Sequence, residues 1–264
     1  MTDVLRTVLT DLAAEGDRLD ALVADLDEAG WRTPTPAAGW DVATQVGHLS
    51  WTDEVATLAA RAGTPEGKAA WDEVVIAAIG DPDGFVDASA LEIGRDPDLL
   101  DRWRQGRKAL ATALAEVPTG EKLPWFGPPM SPTSMATARF METWAHGLDV
   151  HDALGVEPED STRIRHVAHL GVRTRNFAFA TRGLAVPGEE FRIDLAAPDG
   201  DVWSWGPEDA AQTVTGSAGD FCRLVTQRVH RGDTDLVAVG PDADRWLDIA
   251  QAFAGPPGEG RAAR

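Results

Sequence analysis

As far as Arg182 the apolar residues recur at three- and four-residue steps, whereas from Phe191 alternating stretches appear as well. Leu5, Val8, Leu9, Leu12, Leu19, Leu22, Val23 and Leu26 trace one helical face between Val4 and Leu26. Gly30 ends that helix, and Thr33, Pro34, Thr35 and Pro36 form an extended connection that delivers Trp40. A second helix is expected from Val42 to about Ala62, capped by Asp41, and another over Asp98–Val117, closed by Pro118 and Gly120. A fourth long one starts at a Ser131 or Thr133 cap, runs to Leu154 and stops at Gly155. Long helices in this arrangement imply a bundle. Ser161 or Thr162 then opens a further helix to about Arg182.

Beyond Phe191, FRIDLAAP, PDGD and VWSWG read as a hairpin and AQTVTG as another strand. Ser217–Val229 reads as a helix, LVAVG at 236–240 as a strand and Asp242–Phe253 as a last helix. The expected class is therefore α+β, with a four-helix bundle over 1–183, a small α/β domain over 184–255 and a flexible tail over 256–264. Two stretches are less regular. A helix at Glu66–Ile79 is followed by Gly80, Pro82, Gly84 and Pro97, which break the pattern into a lid or side wall. PWFGPPMSP at 124–132 cannot be helix interior, so Trp125, Phe126 and Met130 either roof a pocket or fill the edge of the core.

Charge narrows the partners. Against 24 basic residues stand 43 acidic ones, a net charge of −19, which excludes a nucleic-acid backbone or an anionic membrane surface as the natural partner. No apolar run reaches the roughly 18 residues of a membrane span, and MTDVLRTVLTDLAAEG lacks the basic start and apolar run of a signal peptide, so a cytoplasmic protein is expected. Cys222 is the only cysteine, and it lies between Phe221 and Leu224 as a buried apolar thiol would. A bound metal would therefore need nitrogen and oxygen ligands.

FMETWAHGLDVHD, Phe140–Asp152, supplies them. At about 100° per residue Glu142 and His146 point the same way, and Asp149 falls on that face. The third candidate is His48, on the face of the Val42–Ala62 helix that carries Thr44 and Val55. A lone histidine on an apolar face is ordinarily a satisfied core residue, and a Glu–His pair at this spacing is ordinarily a surface pair. Taken together, two imidazoles and one carboxylate suit zinc or another borderline divalent ion and leave coordination positions open, as catalysis requires. Asp149 or Asp53 would supply a fourth ligand or orient a histidine. His151 lies about 180° around the helix from Glu142 and outside the site, and His166, His169 and His230 have no partner spacing.

GWDVATQVGHL, ETWAHGLDV and TVTGSAGDFCRLVTQR, in that order, resemble the mycothiol-dependent maleylpyruvate isomerase family over nearly the whole chain. The resemblance implies a DinB-like metal-binding bundle with a small C-terminal α/β domain. It also implies His48, Glu142 and His146 as zinc ligands, Asp149 as the acid beside them, and mycothiol as cosubstrate. Arg228 matches an active-site arginine of the C-terminal domain, expected to hold cosubstrate or a substrate carboxylate or enolate in bidentate fashion. The expected activity is thiol addition to an electrophilic small molecule, in isomerisation or S-transfer, by a monomer or homodimer. The residues themselves leave two alternatives open. One is a metal-dependent hydrolase with Asp149 or Asp53 as base, and the other a non-catalytic metal- or small-ligand-binding module. The 80–98 segment and the 125–132 loop match no substrate-binding residues of the isomerase, so the resemblance implies no particular substrate.

Overall fold

A computed structural model describes residues 1–82, 84–253, 255, 257–258 and 260–263. The chain divides into two compact units, 1–158 and 159–264. In the first unit lie α1 (Asp3–Val23), α2 (Glu28–Trp31), α3 (Val42–Arg61), α4 (Pro65–Gly80), α5 (Phe85–Ile93), α6 (Leu99–Glu116) and α7 (Pro132–Leu154). Their starts follow from capping chemistry: the side chains of Thr2, Asp41, Thr64 and Ser131 each accept the backbone N–H three residues on. Gly155, at φ 66°, ends α7 in the left-handed conformation glycine adopts without strain.

The long helices α1, α3, α6 and α7 pack on one another. Two apolar clusters hold them. One joins Leu5, Val8, Val55, Leu110, Leu114 and Met135, the other Leu19, Val23, Val46, Leu49, Trp103 and Val150. Each cluster takes one end of every long helix, and at mid-length buried polar side chains join apolar ones such as Phe140 and Trp144. There stand Glu15 on α1, Asp53 on α3, Arg107 on α6, and Arg139 and Glu142 on α7.

The 80–98 segment, expected to be broken, folds as α5, with Pro82, Gly84 and Pro97 outside its ends; Asp83 lies outside the described residues. What holds α5 is a close approach to α3. A Cβ at Gly47 would lie 2.5 Å from the Ala90 carbonyl oxygen and 2.7 Å from the Gly94 nitrogen. The aromatic loop fills the core edge: Leu123 and Met130 exchange backbone hydrogen bonds, and Trp125 and Phe126 lie on Trp71 at ring separations of 5.9 and 5.3 Å.

In the second unit lie α8 (Arg165–Arg173), α9 (Arg175–Thr181), β1 (Arg192–Ala196), β2 (Val202–Trp205), β3 (Thr213–Ser217), α10 (Ala218–Val225), β4 (Val237–Val239) and α11 (Pro241–Ile249). The strands form a sheet in the order β2-β1-β3-β4. β1 and β2 make the expected hairpin, β3 runs parallel to β1, and β4 is antiparallel to β3. The class is α+β.

Several expected limits move. The boundary lies at 158/159 rather than 183/184, because α8 packs on α10: a Cβ at Gly171 would meet Val225 at 2.9 Å and Phe221 at 3.1 Å. The single helix expected to Arg182 breaks at Thr174, whose hydroxyl bonds back to the Leu170 and Gly171 carbonyls. α10 ends at Val225, not Val229. Gln227 takes φ 60° and donates to the Leu224 carbonyl while the Arg228 N–H donates to that of Arg223, so Arg228 lies past the helix. α11 stops at Ile249, four residues short of the expected Phe253. Of the expected tail, Pro256, Glu259 and Arg264 lie outside the described residues, while the Gly258 carbonyl accepts from Arg182 at 3.1 Å. Among the described residues no helix is long and apolar enough to cross a membrane.

Gly47→Ala should destabilise the protein by roughly 1–3 kcal/mol in urea unfolding, because backbone atoms must give way. Gly106→Ala on α6, where a Cβ would meet nothing within 4 Å, should instead leave stability equal or raise it.

Candidate metal centre

α3 and α7 bring the site together. His48, Glu142 and His146 each offer a ligand atom within 4.8 Å of the other two, the one group of this kind among the described residues. Glu142 Oε2 lies 3.1 Å from His146 Nε2 and 3.4 Å from His48 Nε2, so both imidazoles turn toward the same oxygen. The other oxygen, Oε1, lies 3.7 Å from Arg139 Nη2. The two imidazole rings are 4.5 Å apart. Trp40 stacks on His146 at 5.9 Å and 18° and tilts against His48 at 5.3 Å, and Trp51 lies 6.2 Å from His48. These indoles shield the imidazoles from water on the faces they cover.

Burial, aided by the neighbouring His146, pushes the His48 pKa down from 6.5 to about 4, so this imidazole is neutral at neutral pH with a lone pair to give. Burial alone would raise the Glu142 pKa. The neighbouring His146 and His48 imidazoles and the charge of Arg139 outweigh it and hold the carboxyl well below the usual range. The donor set thus holds a neutral His48 imidazole and an ionised carboxylate, the forms in which these groups ligate, and it fits a divalent ion.

The other expected residues fall elsewhere. Asp149 is buried, with Oδ2 4.0 Å from His146 Nδ1, the ring nitrogen that faces away from Glu142. It adjoins the His146 ring on the side away from Glu142. Asp53 is buried but outside the ligand group. Arg228 belongs to the second unit, where Nη1 donates to the Thr226 carbonyl at 2.7 Å. His151 donates from Nδ1 to the Val156 carbonyl at the end of α7, His169 accepts from Trp205, and the His230 Nδ1 accepts from the Gly232 N–H. His166 lies on α8.

Three contributors were not singled out from sequence. Gln45 accepts from His146 Nδ1 at 2.5 Å. Trp40 covers both rings. Arg139 is buried with Nε and Nη1 lacking hydrogen-bond partners, and it stands three residues before Glu142 just as Gln45 stands three before His48. That spacing is the signal that marks them.

The family model described as mycothiol maleylpyruvate isomerase N-terminal domain matches residues 12–151. The chain belongs to that family. A second model, described as wyosine base formation, matches residues 187–239. Two uncharacterized proteins from strains of Mycobacterium tuberculosis are each 57% identical over 255 residues, covering 96% of this chain and 97% of their own. Among solved structures, the mycothiol-dependent maleylpyruvate isomerase and a histidine-to-alanine mutant of it match with a TM-score of 0.57 at 15% identity. They cover 92% of this chain and 99% of theirs. That likeness is one of fold.

Within this family member, Asp53 generates a pH prediction. Burial raises its pKa from 3.8 to about 7, against the opposing charges of Arg139 and Arg107. The folded state therefore holds a proton that the unfolded state releases near 3.8, and the stability this confers is lost as pH rises toward 7. Asp53→Asn, which mimics the protonated acid, should gain stability relative to the parent from about pH 4 to about pH 7 and level off above. Urea titrations of metal-free protein across that range check it.

Proposed function

We propose that this protein is a metal-dependent enzyme that uses mycothiol as cosubstrate and adds its thiol to an electrophilic small molecule, in isomerisation or S-transfer. The observation that carries the reading is the convergence of His48 Nε2, His146 Nε2 and Glu142 Oε2, in a family whose description names a mycothiol-using isomerase. These three residues would hold zinc or another divalent ion. A divalent ion bound there supplies Lewis acidity, under which a coordinated thiol ionises well below its free pKa of about 8.5.

The chain's own groups then do the rest. Cys222 is fully buried, its Sγ donates to the Ile164 carbonyl, and burial pushes its pKa well above the ordinary thiol value, so the reacting sulfur comes from a ligand. A cleft of about 390 Å³, lined by Arg32, Thr35, Trp40, Asp41, Thr44 and Arg95, gives a small molecule room beside Trp40. Asp149, with Oδ2 4.0 Å from His146 Nδ1, places negative charge beside the distal edge of that ring. Arg228, assigned on the family resemblance alone, takes the anionic end of cosubstrate or substrate. Thiol addition is preferred to hydrolysis because the family's description names a mycothiol-using isomerase. On this reading the protein works in the cytoplasm on small molecules, as a monomer or homodimer.

Elemental analysis of protein purified without added metal should find about one divalent ion per chain. Alanine at His48, Glu142 or His146 should each weaken metal binding by more than the about 10–100-fold expected for an outer partner, and His151→Ala should not. Cobalt-substituted protein should develop a sulfur-to-metal absorption band when mycothiol is added, and Cys222→Ser should retain that band. Turnover of model electrophiles with and without added thiol decides between the reactions: thiol-independent turnover would establish the hydrolase instead, and no turnover the binding module. Arg228→Lys should keep metal and fold but turn over more slowly, since a point charge cannot replace a two-pronged donor.

A further inference from the structure

We infer that Gln45 sets the tautomer of His146, through a chain of hydrogen bonds whose direction is imposed by the backbone carbonyl of Trp40. The functional consequence rests on the metal reading above; the tautomer itself does not.

The direction follows from what each atom can do. A backbone carbonyl only accepts, so the Thr35 hydroxyl, 2.9 Å from the Trp40 carbonyl oxygen, spends its single hydrogen there. Toward Gln45 that hydroxyl can then only accept, and the Gln45 atom 2.8 Å away must be the amide nitrogen, Nε2. The amide orientation is thereby settled by the hydrogen bonds its neighbours can make. Oε1 is left facing His146 Nδ1 at 2.5 Å. An amide oxygen carries no hydrogen, so Nδ1 must. A neutral imidazole has one N–H, so in the neutral ring a hydrogen at Nδ1 leaves Nε2 bare. In that form the atom 3.1 Å from Glu142 Oε2 is a second electron-pair donor, and two so close call for a cation beside them.

Two acceptors compete for the His146 proton. Gln45 Oε1 draws it to Nδ1, helped by Asp149 Oδ2 at 4.0 Å, and Glu142 Oε2 draws it to Nε2. Without Gln45 the proton moves to Nε2, where an incoming ion has to displace it. Gln45 has little freedom to turn away. It is fully buried on α3, and its anchor Thr35 is fixed by its own N–H, which donates to the same Trp40 carbonyl at 2.9 Å. The Trp40 ring stacks on the imidazole that its backbone orients. His48 has no such partner among the described residues, where its Nδ1 is buried without a hydrogen bond. Only one of the two histidine ligands is preset.

The test reads ring-nitrogen chemical shifts of ¹⁵N-labelled, metal-free protein at about pH 9, above the ordinary imidazole pKa of about 6.5, together with zinc affinity by competition with a chelator. The parent should show His146 protonated at Nδ1. Gln45→Leu should move the proton to Nε2 and weaken zinc about 10–100-fold. Gln45→Glu, whose carboxylate accepts from Nδ1–H at least as well, should restore both. Thr35→Val removes only the anchor, leaves the amide free to turn, and should give a mixture of tautomers with an intermediate loss. A parent protonated at Nε2 would overturn the proposal without any variant being made. So would a Thr35→Val that matches the parent in both readouts, or a Gln45→Glu as weak as Gln45→Leu. If the parent shows the expected tautomer but takes up no ion, the metal reading fails while the role of Gln45 stands.

Discussion

The first unit depends on a costly arrangement, a bundle that is charged at its waist. Isolated charges taken out of water cost several kcal/mol each unless paired and hydrogen-bonded. Here Asp53 and Arg139 are buried at the level where Glu15, Arg107 and Glu142 also point inward, and two Arg139 nitrogens have no hydrogen-bond partner. Nothing in such a layer favours folding by itself. The two apolar clusters do, and their placement at opposite ends of the same helices lets dry packing on either side fix the polar residues between them. A cation taken up between Glu142 and the imidazoles would relieve part of this cost, so binding and folding are linked through the same groups.

One helix does most of the positioning. Arg139, Glu142, His146 and Asp149 follow one another along α7 at intervals of three, four and three residues, which keeps them on a single face through nearly three turns. Firm ends keep that face in register. The Ser131 cap and Gly155 stop the helix where the two clusters grip it, by way of Met135 near one end and Val150 near the other. α3 contributes His48 and Gln45 from the opposite side, and the approach of α5 across Gly47 fixes α3 one residue away from His48.

Much of this was legible because it is local. Asp41, Ser131 and Gly155 mark helix ends by chemistry confined to one turn, and Glu142 and His146 stand out because they lie one turn apart on one helix, whereas His48, on another helix, has no spacing to mark it. What was not legible is set by contacts distant in sequence. α5 escapes a reading based on its flanking prolines and glycines, since it is held by Gly47, thirty-eight residues before its first residue, Phe85. The assignment of α8 to the second unit depends on the space Gly171 leaves for Val225. α10 ends at a left-handed Gln227, a residue type that announces no such turn. Gln45 and Arg139 look like polar interruptions of an apolar stripe, because sequence gives the face of a side chain but not which of its atoms meets which neighbour.

Cys222 carries a consequence of a different kind. A protein surrounded by a small thiol and its oxidised form is open to mixed-disulfide formation at any accessible sulfhydryl, since exchange needs only a thiolate and a path for the incoming sulfur. The single cysteine here offers neither: burial keeps it protonated, and no part of it reaches solvent. The folded chain would therefore be blind to the redox state of any thiol pool around it. Capping by oxidised thiol becomes a measure of unfolding, and the rate at which Cys222 is trapped reports how often the second unit opens.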